Sequence, residues 1–503
     1  HASGVALSEL GVGQADFGPA QSRAAFGLLC SHWQVFRGTP VRFWFESELA
    51  DIFDIDQMPS AETAGEIYDA IAAKLKTPQF RPRALYDRFR IEFLATTDDP
   101  CDDLSSHAKL AAELGLTLFP QYCTGSKVLS LSEKVSTYKS DIPSLPLLGL
   151  LDLDRSLKKL MALCQKVPLH APQQAESARE WDAMTVETWK QKNVFTEGAR
   201  ALLDVAVESI FSAEPAEVSF LHFLFVLHSG GGLMKLATIQ GGAQQTRAVE
   251  GFQELANRMS LQLSQHLLLE APVRALVQDD DGVQVHCGGK STLRLRAQRV
   301  IVAIPPTLAG RIEYEPALPA ARDQLTQRMP MGCVAKCIAV YERPFWREQG
   351  LSGEAVSDTG PLRITFDDSP YPGPRGQSES HGALVGFALG DGARGLRELD
   401  VSARRKAVIA ELVRLFGKAA GEPTDYVEQD WSSERWSRGC YFGLMPPGTL
   451  TRYGEALRAP VGRLHWAGTE TAQRNVGYMD GALESGLRAA GEVLPLLGRS
   501  AYR

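Results

Sequence analysis

Residues Arg463 to Leu494 read RLHWAGTETAQRNVGYMDGALESGLRAAGEVL, and the way this stretch folds governs the rest of the chain. Leu464 and Trp466 alternate with Arg463 and His465, so RLHWA is expected to form a buried strand, and Ala467-Gly468-Thr469-Glu470 cannot continue its pleat. A sharp turn is expected there. From Val476 onward the apolar residues Val476, Met479, Leu483, Leu487, Ala490 and Leu494 recur at spacings of three and four, one face of a helix with Gly477 and Gly481 at its start. A buried strand, a glycine turn and a helix N-terminus make a site for an anionic or electron-rich group. They also make an ordinary packing unit, and geometry alone favours that second reading.

Composition bounds the answer. A chain of 503 residues can form two or three domains, and 44% hydrophobic with 22% charged residues is the make-up of a soluble globular protein. A net charge of -7 without a Lys/Arg-rich run argues against nucleic acid as a partner. No stretch has the uninterrupted apolar length of a bilayer span, so no membrane partner is expected. Eight cysteines without a CxxC pair, and ten histidines with neither HxH nor HExxH, leave no visible metal ligand set and suit a reducing, cytoplasmic location. The chain opens on His1 rather than Met, with no basic-then-apolar targeting segment, so its start is expected to be a fragment boundary; it stops at Tyr502-Arg503, just past the last helix.

The residue identities of the opening stretch add to this. AGTET (467–471) followed by GYMDGALESG (477–486) resembles the C-terminal signature of flavin-dependent amine oxidases of the monoamine oxidase type. The resemblance extends from about 112 to 497, through AELGLTLFPQYCTGSKVL (112–129), VSTYKSDIPSLPLLGLLDL (135–153), VIVAIPP (300–306), MPMGCVAKCIAVYERPFW (329–346) and YVEQDWSSERWSRGCYFGLMPPG (426–448). No membrane anchor like that of the family's animal members is expected. The resemblance implies that Gly468, Thr469, Glu470, Thr471, Gly477 and Met479 hold FAD, with Trp431, and with Val273 on the strand whose backbone meets the adenine. Without it, Val273 is a core strand valine.

Four further positions have two readings each. Lys336 interrupts an apolar alternation, where an unpartnered ammonium is costly. It either snorkels from an edge strand or, by resemblance, is the lysine water-bridged to flavin N5 that assists oxygen reduction. Cys440 is either a small buried hydrophobe or, by resemblance to the Gly-Cys-Tyr phrase of animal monoamine oxidases, the residue bonded covalently to the flavin. Tyr441 and Tyr478 are either core tyrosines or the aromatic pair that sandwiches the amine. Gln244, in the turn Gly241-Gly242-Ala243-Gln244-Gln245, stands at the family position beside the substrate.

Other segments read as scaffold. AEPAEVSFLHFLFVLHSGGGLM (213–234) is expected to be a buried helix ended by glycines, with His222 and His228 packed or capping. APVRALVQDDDGVQVH (271–286) reads as a hairpin around Asp281-Gly282. Gly289-Lys290-Ser291 lacks the earlier glycine of a phosphate loop. The literal GxGxxG at Gly390, Gly392 and Gly395 is followed by the helical SARRKAVIAELVRLFG rather than a strand ending in an acid, so it reads as a loop.

Residues 1–109 differ in kind. The nearest approach to a dinucleotide fingerprint is Gly11-Val-Gly13-Gln-Ala-Asp16, with no apolar strand before it. HWQVFRGTPVRFWFESELADIFDID (32–56), SAETAGEIYDAIAAKL (60–75) and FRPRALYDRFRIEFLATTDDPCDDLSSH (80–107) resemble an interior slice of uronate isomerase, a metal-dependent amidohydrolase-like barrel. IEFLATT (91–97) is strand-like. Asp98, Asp99 and His107 read as a turn and a solvated helix cap.

The expected fold is therefore α/β plus α+β: an incomplete FAD-binding Rossmann-like domain, a mixed-sheet and helical substrate domain, and an N-terminal helical segment foreign to the oxidase fold. The expected boundaries are 1–111 for the isomerase-like segment, 112–236 and 305–430 for the substrate domain, and 237–304 and 431–497 for the remaining FAD-binding domain. The resemblance implies FAD-dependent oxidative deamination of primary amines to aldehyde, ammonia and hydrogen peroxide, with a small-molecule amine and oxygen as partners. A homodimer is left open. Because the GxGxxG half is not found, weak or absent FAD binding is expected, and a cofactor-free, inactive fusion is the alternative. Uronate isomerisation needs ligands that are not seen.

Overall fold

In the computed structural model the described residues are 5, 10, 18–80, 106–289, 292–371 and 381–498. The Gly11–Asp16 segment, IEFLATT, Asp98, Asp99, Lys290 and Ser291 lie outside them. The chain divides into two compact units, His1–Thr97 and Asp98–Arg503.

The first unit is helical where it is described, with helices Pro19–Ser31, Pro40–Ser47 and Ala64–Leu75. Pro19 and Pro40 open the first two, where a missing N–H costs nothing. The third is preceded by reciprocal bonds in which Ser60 N donates to Thr63 Oγ1 and Thr63 N to Ser60 Oγ. Its buried apolar side chains are Cys30, Trp33, Leu49, Ala64 and Ile67.

In the second unit the helix Ser106–Glu113 crosses the point where the two resemblances meet. Fifteen strands follow among the described residues: β1 (Leu118–Pro120), β2 (Ser126–Leu131), β3 (Lys134–Tyr138), β4 (Thr246–Ala248), β5 (Val273–Asp279), β6 (Gly282–Cys287), β7 (Leu293–Ala297), β8 (Val300–Val302), β9 (Glu313–Glu315), β10 (Val334–Tyr341), β11 (Leu351–Ser357), β12 (Ile364–Asp367), β13 (Gly382–Leu389), β14 (Asp425–Asp430) and β15 (Leu464–Trp466). Seven form one mixed sheet in the order β14-β10-β13-β12-β11-β2-β3, parallel at the β11/β2 pair and antiparallel elsewhere. β7-β6-β5-β9 form a second sheet, in which β5 and β6 are the expected hairpin. β15 and β8 pair in parallel, and β1 pairs antiparallel with β4.

The largest core is helical. Helix Phe220–Ser229 is buried on nearly every side, as its unbroken apolar run requires, and Phe220 and Phe223 pack with Phe211 and Phe442. His222 Nδ1 accepts the Met445 N–H at 3.1 Å and His228 Nδ1 meets the Val167 carbonyl at 2.8 Å, so both histidines serve the scaffold. β10 lies between β14 and β13, so Lys336 is not on an edge strand.

Three expectations are corrected. The C-terminal helix spans Met479–Leu496 rather than starting at Val476, and its buried residues are Gly481, Ser485, Ala489 and Val493. Leu487, expected to face the core, is 76% exposed. Close approach explains the difference: a Cβ at Gly481 would fall 2.3 Å from the Asn475 carbonyl oxygen and 2.9 Å from Thr469 Oγ1, so small residues face the packed side. Gly390 does not open a loop; at φ 51° it precedes the helix Asp391–Arg397. His107 is not solvated: its N–H and Nδ1 both meet Asp480 Oδ1, at 2.7 and 3.0 Å.

Candidate active site

β15 is wholly buried, and Trp466 donates its Nε1–H to the Ala459 carbonyl while the Arg322 guanidinium stacks 3.6 Å from its ring centroid. After Ala467 the backbone turns at Gly468, φ 112°, into a single 3-10 turn, Thr469–Thr471. Thr471 Oγ1 donates to the Gly468 carbonyl (2.8 Å), and Arg488 reaches both the Trp466 carbonyl (2.6 Å) and Thr471 Oγ1 (3.0 Å). The strand end and the turn are thus held as one rigid piece.

This turn reaches two other segments. Thr469 Oγ1 donates to the Tyr478 carbonyl (2.9 Å) and accepts the Gly477 N–H (2.8 Å). Glu470 Oε1 accepts the Gly443 N–H at 2.9 Å. Burial pushes the Glu470 carboxyl above its ordinary range, against that hydrogen bond. Gly477 sits at φ 88° with the Phe442 ring where a Cβ would be, 2.5 Å from Cδ1, so both its backbone and its surroundings require glycine.

Gln244, Tyr441, Gly477, Tyr478 and Met479 share the wall of one cavity of about 450 Å³. Its other walls include Val356, Ile364, Phe366 and Phe387 from the large sheet, and Leu202, Leu203, Ala206 and Ile210 from helix Glu197–Phe211. Burial raises the phenol pKa of both Tyr441 and Tyr478, so the two rings are neutral hydroxyl-bearing faces at ordinary pH.

The other expected residues lie off this cavity. Cys440 precedes Tyr441, and burial pushes its thiol up to about 11, opposed by the positive charge of Lys336. Lys336 Nζ lies 5.6 Å from the Phe387 ring centroid, on the β10/β13 register pair Lys336↔Phe387. Gly468, Thr469, Glu470 and Thr471 form the turn itself. Val273 begins β5 and packs with Leu276, Val302 and Trp466. Trp431 follows β14 and is partly exposed.

One group on the cavity wall had no counterpart in the sequence reading. Lys127, Tyr138, Asp141 and Glu354 line it, with Lys127 Nζ 3.2 Å from Glu354 Oε1 and 3.5 Å from Asp141 Oδ1. Glu354 sits within a register shift between Leu351 and Ala355, next to Gly353 at φ 80°. A bulge re-aims side chains in this way. The only local signal was a glycine inside a strand pattern, which gives no hint that β2 lies alongside.

Two family descriptions match this chain. "Flavin containing amine oxidoreductase" matches residues 101–494 and "Glucuronate isomerase" matches 10–145, so the two overlap where the resemblance changes. "Probable flavin-containing monoamine oxidase A" of Dictyostelium discoideum is 42% identical over 387 residues, covering 76% of this chain and 83% of that protein. Horse (Equus caballus) "Amine oxidase [flavin-containing] A" is 34% identical over 400 residues, covering 78% and 74%. Among solved structures, putrescine oxidase bound to putrescine superposes with a TM-score of 0.72 at 30% identity, covering 77% of this chain and 85% of that one. Cyclohexylamine oxidase from Brevibacterium oxydans IH-35A gives 0.72 at 32%, covering 78% and 85%. With its mixed α/β fold and a glucuronate isomerase-like N-terminal segment, the chain belongs to the flavin-containing amine oxidoreductase family, a family of oxidoreductases.

Proposed function

We propose that the second unit is an amine oxidase that takes small primary amines with an apolar or aromatic body and yields aldehyde, ammonia and hydrogen peroxide. The observation that carries this reading is the single cavity that brings Gln244, Tyr441 and Tyr478 together beside the glycine turn. Part of its sheet wall, Val356, Ile364, Phe366 and Phe387, is apolar, which suits a hydrocarbon body, while Lys127 and Glu354 make the rest polar. The two phenols stay protonated, so they offer neutral ring faces and hydroxyls, with no phenolate charge, to the amine between them. Lys336 holds a positive charge near Cys440 on the oxygen side, and Cys440 is the proposed attachment point.

The family implies FAD, and the residues fit it at one end only. At Gly468 an added Cβ would meet nothing closer than Glu470 Oε2 at 3.4 Å and Ile304 O at 3.9 Å, an open cradle for the edge of a flat ring. Gly468, Thr469, Glu470, Thr471, Gly477, Met479, Trp431 and Val273 are the proposed holding set. When bound, the flavin supplies the two-electron acceptor. For the pyrophosphate and adenosine, the described residues offer no strand–glycine–helix next to β8, which pairs only with β15 among them. Ile301 on β8 is 38% exposed, and Ile304 just beyond it 39%. The same observation favours a second reading, a protein of this family that holds no cofactor.

The domain division at 112–236 with 305–430 and 237–304 with 431–497, a cytoplasmic location and homodimer formation belong to this proposal. Among the described residues no helix is long and apolar enough to cross a membrane. The test is the chain with its first 111 residues replaced by the flavin-binding segment of an amine oxidase, supplied with benzylamine and, separately, with amino acids. Peroxide from benzylamine is expected; oxidation of amino acids alone would reject the substrate assignment.

A further inference from the structure

Thr469 and Glu470 were assigned above to the cofactor, yet their side chains bond elsewhere. Thr469 Oγ1 donates to the Tyr478 carbonyl and accepts the Gly477 N–H, at 2.9 and 2.8 Å. Glu470 Oε1 accepts the N–H of Gly443, two residues beyond Tyr441, at 2.9 Å. Both side chains belong to one 3-10 turn, braced by Arg488 and Thr471. Tyr441 and Tyr478 are 37 positions apart in sequence. Each is tied to a neighbouring residue of the same rigid turn.

We propose that Thr469 and Glu470 are positioning residues that set the gap between Tyr441 and Tyr478, each fixing one wall of the amine site through the backbone beside that tyrosine. Two features make the turn suited to this. Gly477 and Gly443 present bare N–H groups with no side chain in the way, and Gly477 lies against the Phe442 ring, so the two walls already touch behind the gap. Gly332 holds the Tyr441 wall from the other side, accepting the Cys440 N–H at 3.0 Å. Glu470 therefore adjusts a segment already fixed at one flank, whereas Thr469 bonds directly to the peptide of Tyr478. The tie at Tyr478 is the stiffer one. Misplacement of about 1 Å at such a site costs on the order of a hundredfold in rate, so a device that fixes the gap bears directly on turnover.

The inference rests on the reading of Tyr441 and Tyr478 as the amine-facing pair, but its test needs no amine and no flavin. The full chain is labelled uniformly with 3-fluorotyrosine, and the two resonances are assigned by Tyr441→Phe and Tyr478→Phe. Thr469→Val, which keeps the shape and loses both hydrogen bonds, should move the Tyr478 resonance and leave that of Tyr441. Glu470→Met should do the reverse. Thr469→Ser and Glu470→Gln, which retain the bonding atoms, should move neither. If the valine chain does not fold, Thr469→Ala carries the same expectation. A Tyr478 resonance unmoved by loss of the Thr469 hydroxyl overturns the proposal, as does each variant shifting both tyrosines alike, the sign of a merely structural turn. Failure of the amine reading would show separately, as absent peroxide production from benzylamine by a flavin-loaded chain whose first 111 residues are replaced by an amine oxidase flavin-binding segment, with the fluorine pattern intact.

Discussion

Glu208 and His222 are buried titratable groups with opposite effects on the pH dependence of folding. Glu208 sits against Arg363, and burial pushes its carboxyl up to about 7 from 4.5 while Arg363 pulls it down. His222 is enclosed, and burial pushes it down to about 3 from 6.5. A raised acid binds more protons folded than unfolded, so the Glu208 contribution is complete below pH 4.5 and lost as pH rises through about 7. The depressed histidine contributes fully above 6.5 and loses its share as pH falls through about 3. Their slopes oppose each other between these windows. Glu208→Gln removes only the first, so urea titrations should find the variant gaining on the parent by about 3 kcal/mol from pH 4.5 to 7; a difference independent of pH would contradict the assignment. Gly477→Ala is expected to cost about 2 kcal/mol, since it forces a Cβ onto Phe442 at a left-handed φ. Its denaturant midpoint checks this. Gly477, Tyr441 and Tyr478 stand in short phrases that a linear reading can single out, and they line one cavity. Glu354 and Lys127 were not legible in this way, because more than two hundred positions separate them and only the β2/β11 pairing joins them.

Elements were legible where one physical demand dominated. The run FLHFLFVLHS had to be buried on nearly every side and β10 had to alternate, and both did; VIVAIPP, read as a buried strand ended by its prolines, is strand only over Val300–Val302 and leaves Ile301 exposed. The C-terminal helix shows where periodicity fails. Its leucines form a stripe, but the packed face is Gly481, Ser485, Ala489 and Val493, because the turn at 468–471 approaches closer than a leucine permits. Hydrophobicity is a proxy for burial, and close backbone contact reverses it. The consequence is testable by substitution on the two faces. Leu487→Ala should change stability by no more than about 0.5 kcal/mol, as exposed positions do. Ala489→Leu should cost about 1–3 kcal/mol by overpacking. Thermal unfolding of the pair decides between the faces: if Leu487→Ala proved the costlier, the helix would be packed the other way round.

At the scale of the whole molecule, an amine oxidase fold carries an isomerase-like segment, and the two make different demands. Residues 1–109 are expected to add no metal-dependent conversion of glucuronate, since the histidine pair and the remaining barrel strands are not in the sequence given; measured turnover would refute that. The larger consequence concerns flavin. β8 and β15 form a two-stranded parallel sheet among the described residues, whereas parallel sheets are ordinarily covered on both faces and extended by further strands. The exposed Ile301 on β8, and Ile304 just after it, mark a face left uncovered. The open cradle at Gly468 can meet a ring, but binding energy from the remote half of a cofactor is what offsets the cost of fixing its reactive end. This chain is therefore expected to hold FAD weakly or not at all. Attachment at Cys440 does not remove the difficulty, because burial keeps that thiol protonated, up to about 11, and docking must come first. The comparison is this chain beside one whose first 111 residues are replaced by the flavin-binding segment of an amine oxidase. Flavin absorbance and acid-stable flavin are measured on both. Flavin confined to the replaced chain, with its acid-stable portion lost on Cys440→Ala, is the expected result, and equal stoichiometric flavin in both would show that the strand edge at β8 needs no completion.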